Sequence, residues 1–218
     1  MSSPFEVSQP LRIGILGLQG AFIEHQHTLY NLDPSIQVHI IRAPGLSNLD
    51  GIILPGGEST VMSLVAKRLG IWEELEKWVK EERPIMGTCA GLIMLARDVI
   101  GSVKEQASLM GLDCQVHRNF YGEQYDSFVR AIKVAKGCIG LEGLAIPGVF
   151  IRAPLILSAA PEVQILATIE KGEQKQIVAI QQKKCLGLAF HPELTDSVAW
   201  HRYFINNLVR PKRAFHND

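Results

Sequence analysis

The chain has 218 residues, 47% of them hydrophobic, and this length and composition predict a single domain over 1–218 with a full core. Its 22 lysines and arginines balance 22 aspartates and glutamates, so the sequence lacks the strong positive charge typical of proteins that bind nucleic acid or anionic membranes. The four cysteines form no CxxC pair, the N-terminus lacks an apolar secretory segment, and no apolar run reaches the roughly 18 residues of a membrane span, which together indicate a soluble, cytoplasmic protein.

The first half of the chain alternates strand-like and helix-like segments. Branched apolar runs predict four buried strands: 11–18, 35–43, 51–57 and 83–88. Amphipathic spacing predicts the helical segments between and after them: 21–32, 58–82 and 90–100. The long segment 58–82 is expected to form one or two helices, broken near Gly70. This alternation is typical of a parallel sheet with helices on both faces.

The second half changes to strands with short connections. They are predicted over six segments: 111–118, 126–135, 148–154, 163–170, 176–182 and 185–190. We expect these strands to extend the sheet antiparallel, and a closing helix to follow over 197–209. The predicted fold is therefore an α/β three-layer sandwich with a mostly parallel central sheet and antiparallel additions. The ends, 1–10 and 211–218, are predicted to be flexible.

Cys89 lies between glycines in the stretch GTCAG, where a predicted strand gives way to a helix. Ligands of an open parallel sheet bind beyond the carboxyl ends of its strands, and this position is such an end. The pattern G-x-C-x-G is a cysteine version of the nucleophile elbow, a tight turn that exposes a reactive side chain. The positive end of the following helix favours a thiolate and an oxyanion. From this motif alone, a buried structural cysteine is an equally good interpretation.

His191 and Glu193, in the stretch LAFHPEL, supply what a thiol nucleophile needs. His191 follows a predicted strand, Pro192 stiffens the turn, and the carboxylate two residues on can reach back to orient the imidazole. The other histidines have no such carboxylate on a stiff turn at a strand end. Alone, His191 is better interpreted as a loop histidine, but together with the cysteine elbow it indicates a catalytic pair.

The stretch LPGGEST, 54–60, follows another predicted strand. Its paired glycines allow backbone N–H groups to form an oxyanion hole for a tetrahedral intermediate. An ordinary glycine turn, followed by a helix that Ser59 caps, explains the same residues, and both interpretations are compatible. The stretch lacks the lysine of a Walker A loop, and GILGLQG lacks the dinucleotide-binding pattern, so nucleotide binding is rejected.

The stretches PGGES, GTCAG and FHPE, in this order, resemble the class I (triad) glutamine amidotransferases. GILGLQGAF, PGGEST, HRNFYGEQYDSF and FIRAP resemble, within that family, the glutaminase subunits of pyridoxal 5′-phosphate synthase. The resemblance covers nearly the whole chain. It implies a flavodoxin-like sandwich that carries a Cys-His-Glu triad and needs no metal or bound cofactor.

The resemblance also implies residue roles. Cys89 is implied as the nucleophile, His191 as the general acid and base, and Glu193 as the carboxylate that orients it. The residues implied to bind glutamine are Gly57, Glu58, Ser59, Arg118, Ile151 and Arg152. Chemically, Glu58 suits the α-ammonium of an amino acid and the arginines its α-carboxylate, although surface ion pairs would also explain the arginines.

The resemblance also bears on the oxyanion hole, the partner and one unusual position. The N–H groups of Gly57 and Ala90 are implied to form the oxyanion hole, and Gln19 is implied to lie near the active site and the partner. Glu123 departs from the family, since bacterial relatives often have arginine there. This departure bears on a loop or a partner contact rather than on the triad.

The implied reaction is hydrolysis of L-glutamine to L-glutamate and ammonia through a glutamyl thioester. The implied partner is a (β/α)₈-barrel synthase subunit, which uses the ammonia with ribose 5-phosphate and glyceraldehyde 3-phosphate to make pyridoxal 5′-phosphate. Two alternatives stay open at this point: a glutaminase of another triad amidotransferase, and a non-enzymatic regulator on the same scaffold.

Overall fold

A computed structural model describes the protein over residues 9–101, 107–118, 127–172 and 174–210. The ends predicted to be flexible lie outside these ranges, apart from residues 9 and 10, and so does Glu123. The described strands are β1 (Arg12–Leu16), β2 (Gln37–Ile41), β3 (Gly51–Leu54), β4 (Ile85–Thr88), β5 (Ala96–Ile100), β6 (Leu112–His117), β7 (Phe128–Val134), β8 (Ile146–Phe150), β9 (Leu155–Ala159), β10 (Gln164–Lys171), β11 (Gln174–Gln182) and β12 (Cys185–Leu188). The described helices are α1 (Phe22–Leu32), α2 (Ser59–Arg68), α3 (Trp72–Lys80), α4 (Ala90–Leu95) and α5 (Ala199–Tyr203).

Five strands form the parallel half of the sheet, in the order β2-β1-β3-β4-β12. β3, β4 and β12 are buried along their whole length, as expected for a parallel sheet covered on both faces. The connections from β1 to β2 and from β3 to β4 run in opposite directions across the sheet. Because such crossovers are right-handed, α1 and the pair α2–α3 cover opposite faces. α5 packs beside α1, and α4 beside α2.

Antiparallel strands extend the sheet beyond β12 in the order β11-β10-β7-β8. A side branch leaves β11 through β9, which pairs antiparallel with both β11 and β6. The α/β sandwich with a mostly parallel sheet and antiparallel additions is thus confirmed, and the order of its parallel half is that of flavodoxin-like folds. One pair in the branch, β5 with β6, is parallel.

The helix predicted over 90–100 is wrong in its second half. α4 ends at Leu95, and the residues after it form β5, which pairs with β6. A strand partner distant in the sequence outweighs the weak helical pattern of this segment. β9 was not predicted, and the strand predicted over 148–154 ends earlier, at Phe150.

Of the one or two helices expected over 58–82, two are present, and Gly70 between them adopts a φ of 72°. Such a left-handed backbone is favourable for glycine, which explains the break. The closing helix is also present: α5 continues into a wider helical turn over Phe204–Val209. Among the described residues, no helix combines the length and apolar character needed to span a bilayer.

Candidate active site

The sheet brings three of the sequence motifs to one edge. β3, β4 and β12 are parallel neighbours, and Leu188 lies in register beside Thr88. Since parallel neighbours end at the same edge, the motifs PGGES, GTCAG and FHPE, which follow these strands, lie side by side. A hydrogen bond ties two of them together, because the Cys89 N–H donates to the Leu188 carbonyl at 2.9 Å.

Cys89 occupies a tight strand-to-helix turn. Its φ of 48° and ψ of −102° are rare for a residue other than glycine, and it directly precedes α4. The flanking glycines are needed for packing. A Cβ on Gly91 would lie 2.1 Å from the Leu54 carbonyl oxygen, and one on Gly87 would lie 2.5 Å from the Gly91 carbonyl. The turn therefore holds the thiol at the edge of the sheet, at the start of a helix.

His191 and Glu193 form a buried hydrogen-bonded pair. The imidazole Nδ1 lies 2.7 Å from Glu193 Oε1, and both residues are less than 9% exposed. The His191 N–H donates to the Val149 carbonyl at 2.9 Å, and Pro192 opens the 3-10 turn that carries Glu193. The turn predicted from HPE therefore aims the carboxylate at the imidazole.

Hydrogen bonds and neighbouring charges outweigh burial in setting the pKa values of His191 and Glu193. Burial by itself would lower the pKa of His191, but hydrogen bonds to and charges on Cys89 and Glu193 raise that pKa well above its ordinary value. Burial would raise the pKa of Glu193, but the neighbouring imidazoles of His25 and His191, the second through a hydrogen bond to the carboxylate as well, lower it. The arrangement favours an anionic carboxylate and an imidazole that readily accepts a proton from the neighbouring thiol.

Gly56 packs against the catalytic pair. A Cβ at this position would lie 2.3 Å from His191 Cε1 and 3.5 Å from Cys89 Cβ, so a side chain here would displace the imidazole. Across the thiol, the carbonyl oxygens of Ile151 and Arg152 lie 3.9 and 4.0 Å from Cys89 Sγ. The segment that follows β8 therefore contacts the thiol through its backbone.

The loop after β1 packs on the PGGES loop. The Ala21 N–H donates to the Gly56 carbonyl at 3.1 Å, and Gln19 Oε1 accepts from the Glu58 N–H at 2.7 Å. Because the C=O and N–H of a trans peptide point in opposite directions, the Gly57 N–H points away from Ala21. Gln19 thus lies beside the loop implied to bind the substrate.

Glu58 caps α2, so the prediction that Ser59 would be the cap is wrong. The Glu58 carboxylate accepts from the backbone N–H groups of Thr60 and Val61, at 3.3 and 2.8 Å. A carboxylate reaches two donors here, and its charge also suits the positive end of the helix. Ser59 is instead buried at the first turn of α2.

Arg118 reaches the same carboxylate. Its Nη2 lies 2.7 Å from Glu58 Oε1, and its Nη1 donates to Thr60 Oγ1 at 2.9 Å. Burial raises the pKa of Glu58, but the two backbone hydrogen bonds and Arg118 outweigh it, so the pKa is lowered. Glu58 is therefore anionic and fixed in place. Of the two roles that the sequence suggests for Arg118, the structure shows the ion pair.

Arg152 differs from Arg118 in its surroundings. Its φ of 49° is unusual for a non-glycine residue, and its side chain is exposed. Within the described part of the chain, it has no ion pair. Its backbone carbonyl lies 4.0 Å from the Cys89 sulfur, so the Arg152 backbone is next to the thiol.

The other three cysteines are buried, and none of them lies beside a His–Glu pair among the described residues. Burial raises the pKa of the Cys114 thiol to about 12 and also raises the pKa values of Cys138 and Cys185. No cluster of three His, Cys, Asp or Glu side chains in the described ranges is arranged as a metal site. The chemistry at this edge of the sheet therefore depends on Cys89 and its neighbours.

Sequence reasoning missed two buried histidines behind the pair. His25 Nε2 lies 3.4 Å from Glu193 Oε2, and His25 Nδ1 lies 2.8 Å from His201 Nε2. Sequence reasoning rates both as poorer candidates, because neither has a carboxylate on a stiff turn at the end of a strand. No local pattern could have found them, since the two histidines are 176 positions apart.

Comparison with known proteins gives a consistent result. The model of the SNO glutamine amidotransferase family matches residues 15–210. The chain is 42% identical over 205 residues to the pyridoxal 5′-phosphate synthase subunit PdxT of Pyrococcus furiosus, covering 91% of this chain and 100% of that one. It is 40% identical over 202 residues to the subunit of the same name from Clostridium botulinum, covering 93% and 100%.

Solved structures show the same fold. A crystal structure described as a glutamine amidotransferase superposes with a TM-score of 0.75 at 38% identity, covering 88% of this chain and 96% of that one. A glutamine amidotransferase from Thermotoga maritima superposes with a TM-score of 0.56 over 93% of this chain and 85% of that one. The latter is only 15% identical, so it supports the architecture alone.

Proposed function

Because the chain belongs to the SNO glutamine amidotransferase family, we propose that it is a glutaminase that hydrolyses L-glutamine to L-glutamate and ammonia through a Cys-His-Glu triad. One observation carries the mechanism. The nucleophile elbow and the His191–Glu193 pair, joined by a 2.7 Å hydrogen bond, converge at one edge of the sheet. This is the arrangement that activates a thiol for acyl transfer.

The first half of the reaction forms a thioester. His191 takes the proton of Cys89, and the thiolate attacks the side-chain amide carbon of glutamine. The oxyanion that forms accepts hydrogen bonds from the N–H groups of Gly57 and Ala90. Ala90 suits this role because it is the first residue of α4, where N–H groups lack intrahelical acceptors.

The second half releases the product. His191 returns its proton to the leaving nitrogen, so ammonia departs and a glutamyl thioester remains on Cys89. His191 then takes a proton from water, which attacks the thioester and frees glutamate. Throughout, Glu193 holds the imidazole by its Nδ1–H and stabilises the imidazolium.

The substrate's amino-acid end is proposed to lie between Glu58 and Arg152. Glu58, fixed by α2 and Arg118, offers a negative charge to the α-ammonium, and Arg118 acts by holding this carboxylate. The exposed Arg152 offers its guanidinium to the α-carboxylate. Ser59 and the backbone of Ile151 complete the proposed binding residues.

The proposed partner is a synthase subunit with a (β/α)₈ barrel, which receives the ammonia and makes pyridoxal 5′-phosphate. Support comes from the relatives at about 40% identity, which are named PdxT subunits of pyridoxal 5′-phosphate synthase. Gln19, beside the PGGES loop, is proposed to face this partner. Transfer within a complex protects ammonia from protonation in bulk water, and we place the complex in the cytoplasm.

The alternatives have less support. A glutaminase of a different amidotransferase would not be expected to match PdxT proteins over 91% of the chain. A regulator without turnover would not need the aligned pair of His191 and Glu193 next to a thiol.

The decisive experiment measures glutamate and ammonia formation with and without the synthase subunit. We expect turnover that rises when the partner is added, and pyridoxal 5′-phosphate formation from glutamine in the mixture. Cys89→Ala should fold normally and lose turnover by several orders of magnitude. Glutamine turnover that persists in Cys89→Ala would refute the mechanism. Glutaminase activity of the wild-type protein without formation of pyridoxal 5′-phosphate would favour a different synthase partner.

A further inference from the structure

Behind Glu193 lies a group of buried polar side chains that the mechanism above does not use. We call His25, Thr88 and His201 the histidine cluster. His25 is fully buried on α1, and its Nε2 lies 3.2 Å from Thr88 Oγ1 and 3.4 Å from Glu193 Oε2. Its Nδ1 lies 2.8 Å from Nε2 of the equally buried His201 on α5. The cluster thus joins the orienting carboxylate to the residue that precedes the nucleophile.

The carboxylate fixes where the ring protons lie. An ionised carboxylate only accepts hydrogen bonds, so the His25 nitrogen that faces Glu193 must carry its proton. This Nε2–H is aligned with Thr88 Oγ1, and Glu193 Oε2 is a buried oxygen without an aligned donor among the described residues. His25 Nδ1 is then an acceptor and receives the N–H of His201 Nε2. His201 Nδ1, which has no hydrogen-bond partner in the described part of the chain, is left as the unprotonated nitrogen.

Burial keeps His25 neutral. Burial lowers the pKa of His25, against the raising effects of Glu193 and of Glu24 on its own helix, while His191 lowers it further. Burial likewise lowers the pKa of His201 to about 3. A neutral donor matters here, because a charged His25 would compete with the His191 imidazolium for the same carboxylate.

We propose that His25 is a positioning residue of the glutaminase site, a neutral imidazole that donates from Nε2 into the space between Thr88 and Glu193 and is itself oriented by His201. It stabilises the second carboxylate oxygen without neutralising it. Glu193 Oε1 therefore stays directed at His191, and the carboxylate keeps its full negative charge. This role rests on the proposed function, since it assumes that His191 and Glu193 serve Cys89.

Two substitutions test the roles of the two ring nitrogens of His25 one at a time. His25→Gln places an amide N–H near the position of Nε2 and loses the acceptor for His201. His25→Asn places its amide near Nδ1, keeps a partner for His201, and loses the donor toward Glu193. Each variant loses one buried hydrogen bond, so the cost to folding is matched. His27→Asn is the control, because His27 lies on the same helix and is exposed.

The readouts are steady-state glutaminase kinetics in the presence of the synthase subunit, and the rate of Cys89 alkylation by iodoacetamide against pH, with the site identified by mass spectrometry. We expect His25→Asn to lower kcat about 10-fold with little change in KM, since the N–H that faces the charged Glu193 Oε2 at 3.4 Å is lost. Its alkylation profile should move to higher pH, because His191 is less well supported as an imidazolium. His25→Gln should stay within about threefold of wild type, as should His27→Asn.

Equal kcat values and equal alkylation profiles for the Asn and Gln variants would overturn the proposal. So would a fall in kcat for His25→Asn without a shift of the profile, which is the mark of a purely structural role. If the wild-type protein has no glutaminase activity, the proposed function fails instead. The alkylation profiles still decide the role of His25 in that case, because they need no substrate.

Discussion

At the scale of single residues, the four cysteines differ in environment rather than in exposure. All are buried, but Cys89 alone among them lies at a strand-to-helix turn next to a His–Glu pair. The other three thiols have pKa values raised by burial, which keeps them protonated and unreactive.

We therefore expect a glutamine-like chloroketone to label Cys89 and to spare the remaining cysteines. Peptide mapping by mass spectrometry after limited reaction is the measurement, and L-glutamine should slow the labelling by competition. The control is His191→Asn, in which labelling should slow because the base is lost. Labelling spread evenly over the four cysteines would show that Cys89 is not activated.

A second prediction at this scale concerns Arg152. A charged hydrogen bond contributes roughly 1.5–3 kcal/mol, so Arg152→Ala should raise KM for glutamine about 10- to 100-fold if the guanidinium binds the α-carboxylate. The measurement is steady-state kinetics with the synthase subunit, using glutamine and an analogue whose α-carboxylate is converted to an amide. The wild-type preference for glutamine should be largely lost.

Arg130→Ala is the charge-matched control, because Arg130 is exposed on β7. Its kinetics should match those of wild type. Should Arg152→Ala keep both the affinity and the preference for glutamine, Arg152 is not a carboxylate ligand.

At the scale of elements, the elbow depends on close contact between α4 and β3. A methyl group on Gly91 would lie 2.1 Å from the Leu54 carbonyl oxygen, a backbone atom that cannot move aside without moving the strand. Gly91→Ala should therefore destabilise the protein by about 3 kcal/mol or more, and displace Cys89 from His191. Urea unfolding measures the first effect, and the rate of chloroketone labelling measures the second.

Gly172→Ala, in the turn between β10 and β11, is the control variant for Gly91→Ala. Gly172, unlike Gly91, has a positive φ of 63°, and apart from its chain neighbours no heavy atom of the described residues lies within 4 Å of an added Cβ. Alanine there should cost only about 1 kcal/mol, from backbone conformation alone. If Gly91→Ala and Gly172→Ala lowered the free energy of unfolding by the same amount, the contact between α4 and β3 would not be the reason for glycine at position 91.

At the scale of the whole molecule, stability depends on keeping the histidine cluster neutral. The pKa of buried His201 falls from 6.5 to about 3 on folding, so the unfolded chain binds more protons than the folded one between these values. Stability is then complete above pH 6.5 and is lost as the pH falls below it. At pH 5 the loss from His201 amounts to about 2 kcal/mol.

His201→Gln should flatten this acid dependence, because glutamine does not titrate and still offers a donor to His25 Nδ1. The measurement is the free energy of unfolding by urea at pH 7.5, 6 and 5 for this variant, wild type and the exposed control His27→Gln. We expect the control to keep the wild-type slope. A slope unchanged in His201→Gln would mean that His201 is charged in the folded state.

The sequence by itself predicted the parallel half of the sheet. Strands such as β3 and β12 are buried on both faces, so their continuous apolar runs are visible locally, and glycine at position 70 marks a helix break for a local steric reason. The motifs around Cys89 and His191 were also local, because the elbow and the HPE turn each need a few adjacent residues. The roles of these residues stay predictions, although the fold brings them together.

Only the tertiary structure decided the rest. The sequence of β5 predicts a helix, but pairing with β6 makes it a strand. Glu58 rather than Ser59 caps α2, and Arg118 forms an ion pair with the same carboxylate. His25 gave no signal, because its environment is built by Thr88 and Glu193, which reach it from other strands and turns. Such contacts depend on which segments the sheet places side by side, and a buried polar group takes its charge and its proton from those neighbours rather than from its own stretch of sequence.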